Sequence, residues 1–210
     1  MDYPVFEHPD SYLKTRRGSW VYSFFKERGE QRALDQCLAS LTDIRLVCDA
    51  PCGFGHLFPY WHRKKFRLIG LDLSMPMVTL AREKLRKHNI NGEVRYGDLF
   101  SLSEHLEERP DLIACIRFIY YFERSQRVKL LQVLAAASNR YVLVQYRTME
   151  TFRGRWTLYR RKKQGLPIVK QFSFLSEIEE ELREAGLTVI RAVPISQFSD
   201  RIFIIANKKV

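Results

Sequence analysis

Leu46-Val47-Cys48-Asp49-Ala50-Pro51-Cys52-Gly53-Phe54-Gly55-His56 runs from an apolar stretch through an acidic residue into a short turn with two glycines. The apolar part has the length and β-branched content of a buried strand, and helical periodicity follows the turn, so the unit reads as strand, turn, helix. Gly53 and Gly55 carry no Cβ, which lets the backbone come close to a ligand and opens the φ angles such a turn needs. In open α/β sheets ligands sit beyond the carboxyl ends of the strands, and this loop is therefore expected to hold a ligand of nucleotide type.

Spacing separates three versions of that loop. The dinucleotide fingerprint would place a third glycine at position 58, where Phe58 stands, so a nicotinamide enzyme is disfavoured. The phosphate-cradling P-loop ends in Gly-Lys-Ser/Thr, and no such run follows Gly55.

Outward from the loop, short β-branched runs alternate with helical periods, the rhythm of a parallel α/β sheet. Strands are expected at Ile44–Asp49, Arg67–Asp72, Glu93–Tyr96, Leu112–Ile116, Tyr141–Gln145, Thr188–Pro194 and Arg201–Ala206. Helices are expected at His56–Lys65, Met75–Lys87, Leu102–Glu108, Ser125–Ala137 and Leu175–Ala185, with Ser125 as the cap of its helix. Only Ser196–Asp200 separates the last two strands, so they should form an antiparallel hairpin. The expected fold class is α/β: a Rossmann-like, seven-stranded, mostly parallel sheet with an antiparallel C-terminal hairpin and helices on both faces. Two helices, Ser11–Phe25 and Glu27–Ser40, should form an N-terminal helical cap over 1–43, ahead of one globular unit over 44–210.

The 210 residues carry 35 Lys and Arg against 24 Asp and Glu, a net charge of +11 that favours an anionic partner. Cys37, Cys48, Cys52 and Cys115 form no CxxC pair, which argues against a zinc site and a disulfide framework, and no metal is expected. The start of the chain lacks the charge pattern of a signal peptide, and the most apolar run, Leu112–Phe122, is interrupted by Arg117. A cytoplasmic protein without a membrane span is expected.

The loop D-x-P-C-G-x-G resembles the acidic-x-Gly-x-Gly-x-Gly motif of class I S-adenosylmethionine-dependent methyltransferases, in the variant of small bacterial-type members. The likeness extends to Ile69–Met77, Arg95–Leu99, Asp111–Arg117 and Asn139–Val144, which resemble the family's later motifs and strands. It implies S-adenosyl-L-methionine as cofactor. By the same resemblance Asp49, Ala50, Pro51, Cys52, Gly53 and Gly55 line its methionine end, Asp72 accepts from the ribose hydroxyls beside Leu73 and Met77, and Asp98 and Leu99 meet the adenine. Cys115, at the exit of the fourth strand, completes the set. The sequence departs from the family pattern at Pro51, which replaces the first glycine, and at Tyr120-Tyr121, which stands where many small-molecule members carry a His pair.

Methyl transfer from a sulfonium is an in-line displacement, so alignment matters more than acid and base groups. The expected activity is methylation of a small-molecule or glycan-like acceptor, anionic and at oxygen. Tyr121, Arg117, Tyr146 and His56 are the catalytic candidates, with Tyr121 and Tyr146 dependent on nearby cations to act as bases. The segment 148–172 interleaves basic and aromatic residues and reads as an acceptor-side insert, with Arg147, Arg153, Trp156 and Tyr159 as substrate-binding candidates. The basic run His62–Arg67 falls at a helix end, where cations complement the dipole, and is not counted toward nucleic acid. Two alternatives stand beside this reading: an RNA methyltransferase, motivated by the +11 charge, and a non-catalytic scaffold that binds the same cofactor, motivated by the missing His pair. Oligomeric state is not legible.

Overall fold

Alternation along the strands sets the layers. Val47, Leu68, Leu112, Ala114, Leu143, Phe203 and Ile205 pack into one hydrophobic cluster, whereas Leu46, Cys48, Ile69, Ile113, Cys115, Val142, Val144, Ile202 and Ile204 pack into a second. Successive residues of one strand point to opposite faces, so both faces of this sheet are buried and each needs helices over it. The computed structural model describes residues 20–167 and 170–208, with side chains from residue 27 onward.

The strands are β1 (Leu46–Asp49), β2 (Arg67–Asp72), β3 (Gly92–Tyr96), β4 (Leu112–Cys115), β5 (Tyr141–Arg147), β6 (Leu187–Pro194) and β7 (Arg201–Lys208), in the spatial order β3-β2-β1-β4-β5-β7-β6. The first five are parallel, and β7 enters antiparallel between β5 and β6. The helices are α1 (Trp20–Leu38), α2 (Phe58–Arg63), α3 (Met75–Lys87), α4 (Arg124–Ala137), α5 (Phe152–Lys163) and α6 (Leu175–Glu184). Leu34 of α1, Phe58 and Trp61 of α2, and Val78 and Leu85 of α3 cover the first face. Leu130, Leu131 and Leu134 of α4, with Ile178 and Leu182 of α6, cover the second. The chain order reverses between β1 and β4, which makes the loops after these two strands diverge and leave a crevice at the carboxyl edge.

Several expectations are corrected. The expected break between Phe25 and Glu27 is absent, since α1 runs unbroken from Trp20 to Leu38; Gly29 weakens a helix interior by about 1 kcal/mol but does not terminate it. The part of the first expected helix before Trp20 lies outside the described residues. The helix after the glycine loop starts at Phe58 rather than His56, with Pro59 at its first turn. Leu102–Glu108 is replaced by a kinked 3₁₀ segment, Leu99–His105, capped by Asp98. Ser125 lies inside α4; the Glu123 N–H instead donates to the Gln126 side chain at 3.3 Å. Within 148–172 the chain forms α5, for which no helix was expected: Thr151 caps it by accepting from the Gly154 N–H at 3.1 Å. Among the described residues no helix is long and apolar enough to cross a membrane.

Candidate functional site

The glycine loop leaves β1 through Ala50, whose N–H donates to the Ala114 carbonyl of β4 at 2.9 Å, and returns toward β2 where the Cys52 N–H donates to the Leu71 carbonyl at 2.9 Å. Gly53 and Gly55 have φ of +54° and +73°, the left-handed region that glycine enters without Cβ strain. A Cβ at Gly55 would lie 2.5 Å from the Phe58 ring, whereas one at Gly53 would point into open space. Phe58, which breaks the dinucleotide pattern, is thus the residue that closes the loop onto the sheet.

Asp72 at the tip of β2 holds this loop. Its carboxylate accepts from the Gly53 N–H at 2.8 Å through one oxygen and from the Ser74 N–H at 2.9 Å through the other. Burial pushes its pKa up, opposed by those two hydrogen bonds. Each oxygen retains capacity for a further donor. Leu73 and Met75 beside it are 41% and 50% exposed, an apolar surface next to a carboxylate, and this set suits a ribose joined to a flat ring. The cofactor implied by the sequence therefore fits the residues present.

The remaining loop-side candidates fall into different surroundings. Asp98 follows β3, which is in register with β2, and its side chain accepts from the Phe100 N–H at 2.9 Å. Leu99 and Met77 are buried, and Ala50 and Cys115 have no exposed side-chain surface at all. Cys52 is buried, and burial together with the charges of Asp72 and Asp49 raises its thiol well above the usual range, so it stays protonated. Asp49 is buried against Trp61, whose indole N–H donates to it at 3.3 Å. Burial raises its pKa to about 7; the Trp61 hydrogen bond opposes this, and the nearby charges of Asp72 and Glu30 add to it.

A second buried cluster gathers around a residue that sequence reasoning missed. Glu30 of α1 is 1% exposed, yet His56 Nε2 lies 3.2 Å from its Oε2, Arg117 is ion-paired to the same oxygen, and Gln145 and Arg201 approach Oε1 at 3.4 and 3.7 Å. Burial alone would push Glu30 upward, but the hydrogen bonds and charges of His56, Arg201 and Gln145 hold its carboxyl below the ordinary value. Arg117 sits at the exit of β4 with φ +64°, a conformation that strains a non-glycine residue by about 1–2 kcal/mol and recurs at functional sites. Among the described residues, buried Arg117 Nε and Gln145 Oε1 have no hydrogen-bond partner.

His56 and Arg117 are thus brought together, and Tyr146 is not. Its hydroxyl donates to Glu181 at 2.8 Å in the core, and burial with the neighbouring Glu181 charge raises its pKa well above the ordinary value. The expectation of Tyr146 as a base is corrected on that ground. Tyr121 lies half-buried in a 3₁₀ turn, Ile119–Tyr121, with Lys170 Nζ 5.5 Å from its ring centre. Arg147, at the end of β5, is ion-paired to Asp200 and lies 5.5 Å over the Tyr120 ring. Arg153, Trp156 and Tyr159 on α5 are exposed, apart from this cluster.

Residues 47–139 match the methyltransferase domain family. A malonyl-[acyl-carrier protein] O-methyltransferase of Salmonella typhimurium is 36% identical over 62 residues, 29% of this chain and 25% of that protein. An uncharacterized RNA methyltransferase of Clostridium acetobutylicum is 29% identical over 98 residues, 44% of this chain and 22% of that protein. The chain thus matches about a quarter of the length of these curated relatives. The structure of magnesium protoporphyrin IX methyltransferase from Synechocystis PCC 6803 with bound S-adenosylhomocysteine superposes with a TM-score of 0.74 at 19% identity, covering 95% of this chain and 94% of that one. The matched residues span the glycine loop, Asp72 and the switch point between β1 and β4, and this likeness supports a class I S-adenosylmethionine-dependent methyltransferase.

Proposed function

We propose that the protein transfers a methyl group from S-adenosylmethionine to an oxygen of a small-molecule or glycan-like, anionic acceptor. The observation that carries the donor half is Asp72, a buried carboxylate at the switch point that grips the glycine loop and keeps capacity for two hydroxyl donors. When bound, the sulfonium supplies the electrophilic methyl group. The chain's task is to align the acceptor and take its proton. His56 Nε2 lies 3.2 Å from Glu30 and 3.0 Å from the Arg117 guanidinium. In this reading its proton is donated to Glu30, Arg117 pairs with Glu30 rather than with the ring, His56 keeps a lone pair on Nδ1 for an acceptor hydroxyl, and Glu30 acts as the positioning residue behind it. In this reading Arg117, Arg147 and Tyr121 line the acceptor space, and their charge and ring surface support an acceptor with a carboxylate or phosphate.

We read 1–43 as a helical cap and 148–172 as an insert beside the acceptor space. A second reading, methylation of RNA, draws support from the 29% identity to the RNA methyltransferase of Clostridium acetobutylicum and from the +11 charge.

Calorimetric titration with S-adenosylhomocysteine, with NAD and ATP as controls, tests the donor half. Saturable binding that weakens at least about tenfold in Asp72→Ala is expected, because ribose hydroxyls lose a charged acceptor. No binding to folded, ligand-free protein would overturn the reading.

A further inference from the structure

Helix α5 presents three aromatic rings to solvent. Phe152, Trp156 and Tyr159 are 82%, 52% and 57% exposed and recur at i, i+4 and i+7, so they share one helical face. The Phe152 and Trp156 rings stack at 6.3 Å with 12° between their planes, and Tyr159 follows at 6.0 Å, forming one continuous ridge. The opposite side is anchored. Gly154, the buried residue of the helix, leaves no room for a Cβ, which would lie 2.0 Å from the Thr148 carbonyl, and Arg161 donates to the Pro167 carbonyl. The aromatic face is therefore fixed outward.

At 100° per residue, Arg155 and Lys162 flank the ridge on one side and Arg153 and Arg160 on the other, with Lys163 in line with it. The helix contains no Asp or Glu, and among the described residues Arg153, Arg160, Lys162 and Lys163 have no carboxylate partner. Leu166, 46% exposed, extends the apolar surface just beyond.

We propose that α5 docks on an anionic lipid surface, with the aromatic ridge at the boundary of headgroups and acyl chains and the flanking cations on lipid phosphates. Basic flanks around a Trp- and Phe-bearing face are what an interfacial helix requires, since rings with an apolar body settle at that depth while long cationic side chains reach back to the headgroups. A second copy of the chain is a poor occupant, because two such helices face to face would oppose their cations. Single-stranded RNA is also a poorer fit, since the rings lean on one another and leave no separate faces for successive bases. Helix α5 begins just after β5, at the carboxyl edge that carries the acceptor space, so docking turns that space toward the lipid. The proposal holds whether or not the chain transfers methyl groups.

Flotation of the full chain with vesicles of phosphatidylglycerol and phosphatidylcholine in equal parts, against vesicles of phosphatidylcholine alone, provides the test. Binding to the anionic vesicles is expected, reduced by salt and at least about tenfold weaker on the neutral ones. The triple variant Phe152→Ser/Trp156→Ser/Tyr159→Ser should abolish it. Arg160→Ala/Lys162→Ala should weaken it by about fivefold for each cation removed. All five side chains are exposed, and unchanged melting temperatures verify that each variant folds. Equal binding to neutral vesicles, undiminished binding of both variants, or retention of a single-stranded RNA oligonucleotide without vesicle binding would overturn the proposal.

Discussion

Two glutamates are almost completely withdrawn from water, Glu181 at 0% and Glu30 at 1% exposure, and their surroundings differ in kind. Glu181 on α6 is gripped by Arg127 of α4 through both carboxylate oxygens and receives the Tyr146 hydroxyl at 2.8 Å, while Arg127 also donates to the Phe122 carbonyl at 2.9 Å. That network is closed and joins α4, α6 and β5. Glu30 gathers His56, Arg117, Gln145 and Arg201 from the glycine loop, the exit of β4, β5 and β7, but among the described residues Arg117 Nε and Gln145 Oε1 remain without partners. A buried carboxylate with every neighbour satisfied holds helices together. One whose neighbours retain unmet hydrogen-bonding capacity has something left to offer a substrate.

The contrast is broken most forcefully at Glu181. Glu181→Gln strands the buried Arg127 charge and should destabilise the fold by about 3–5 kcal/mol, lowering the melting temperature by roughly 10 °C, with S-adenosylhomocysteine affinity unchanged at low temperature. Calorimetric melting checks this, and a loss below about 1 kcal/mol would remove the distinction. Glu30→Gln should destabilise less, by about 1–2 kcal/mol, because Arg117 and Arg201 are partly open to water. It should nonetheless slow methyl transfer to an acceptor in cell extract at least tenfold while donor affinity stays intact. Melting and turnover measured on the same samples decide the matter; undisturbed turnover would reduce Glu30 to a second Glu181.

The smallest effect concerns Asp49, whose folded pKa stands at about 7 against an ordinary 3.8. A folded carboxyl that holds its proton longer than the unfolded one contributes stability at acid pH, and this is lost as pH rises from about 4 through 7. A cationic donor favours the ionised form. The affinity for S-adenosylmethionine relative to neutral S-adenosylhomocysteine should therefore rise severalfold between pH 6 and 8, followed by titration calorimetry. Because the Glu30 charge helps raise Asp49, the midpoint should move down in Glu30→Gln, and an unmoved midpoint would uncouple the two sites.

The donor half of this molecule is legible along the chain because each strand announces its own exit. Gly53, Asp72 and Asp98 follow the ends of successive strands, and local spacing is enough to find them. The cluster around Glu30 is not, because Glu30 meets Arg117 across 87 residues and Gln145 across 115. Glu30 lies in a helix rich in charged residues and gives no local sign that it turns inward. Tyr146 carries the opposite lesson: its neighbour Arg147 suggested a nearby cation, but strand alternation turns Tyr146 into the core cluster toward Glu181. Helix α5 is legible in the sequence, since Phe152, Trp156 and Tyr159 recur at helical spacing and Thr151 three residues ahead of Gly154 is a start signal.

The interior place of β7 has a bearing on how the molecule is made. During synthesis β5 emerges with one edge bare, and its partner on that side is not translated until residues 201–208. The same late strand brings Arg201 to Glu30, and Asp200 just before it pairs with Arg147. A ribosome halted after β6 would release a chain with an unpaired apolar edge, with Glu30 lacking Arg201 and Arg147 lacking Asp200. Premature fragments are thereby prone to aggregation.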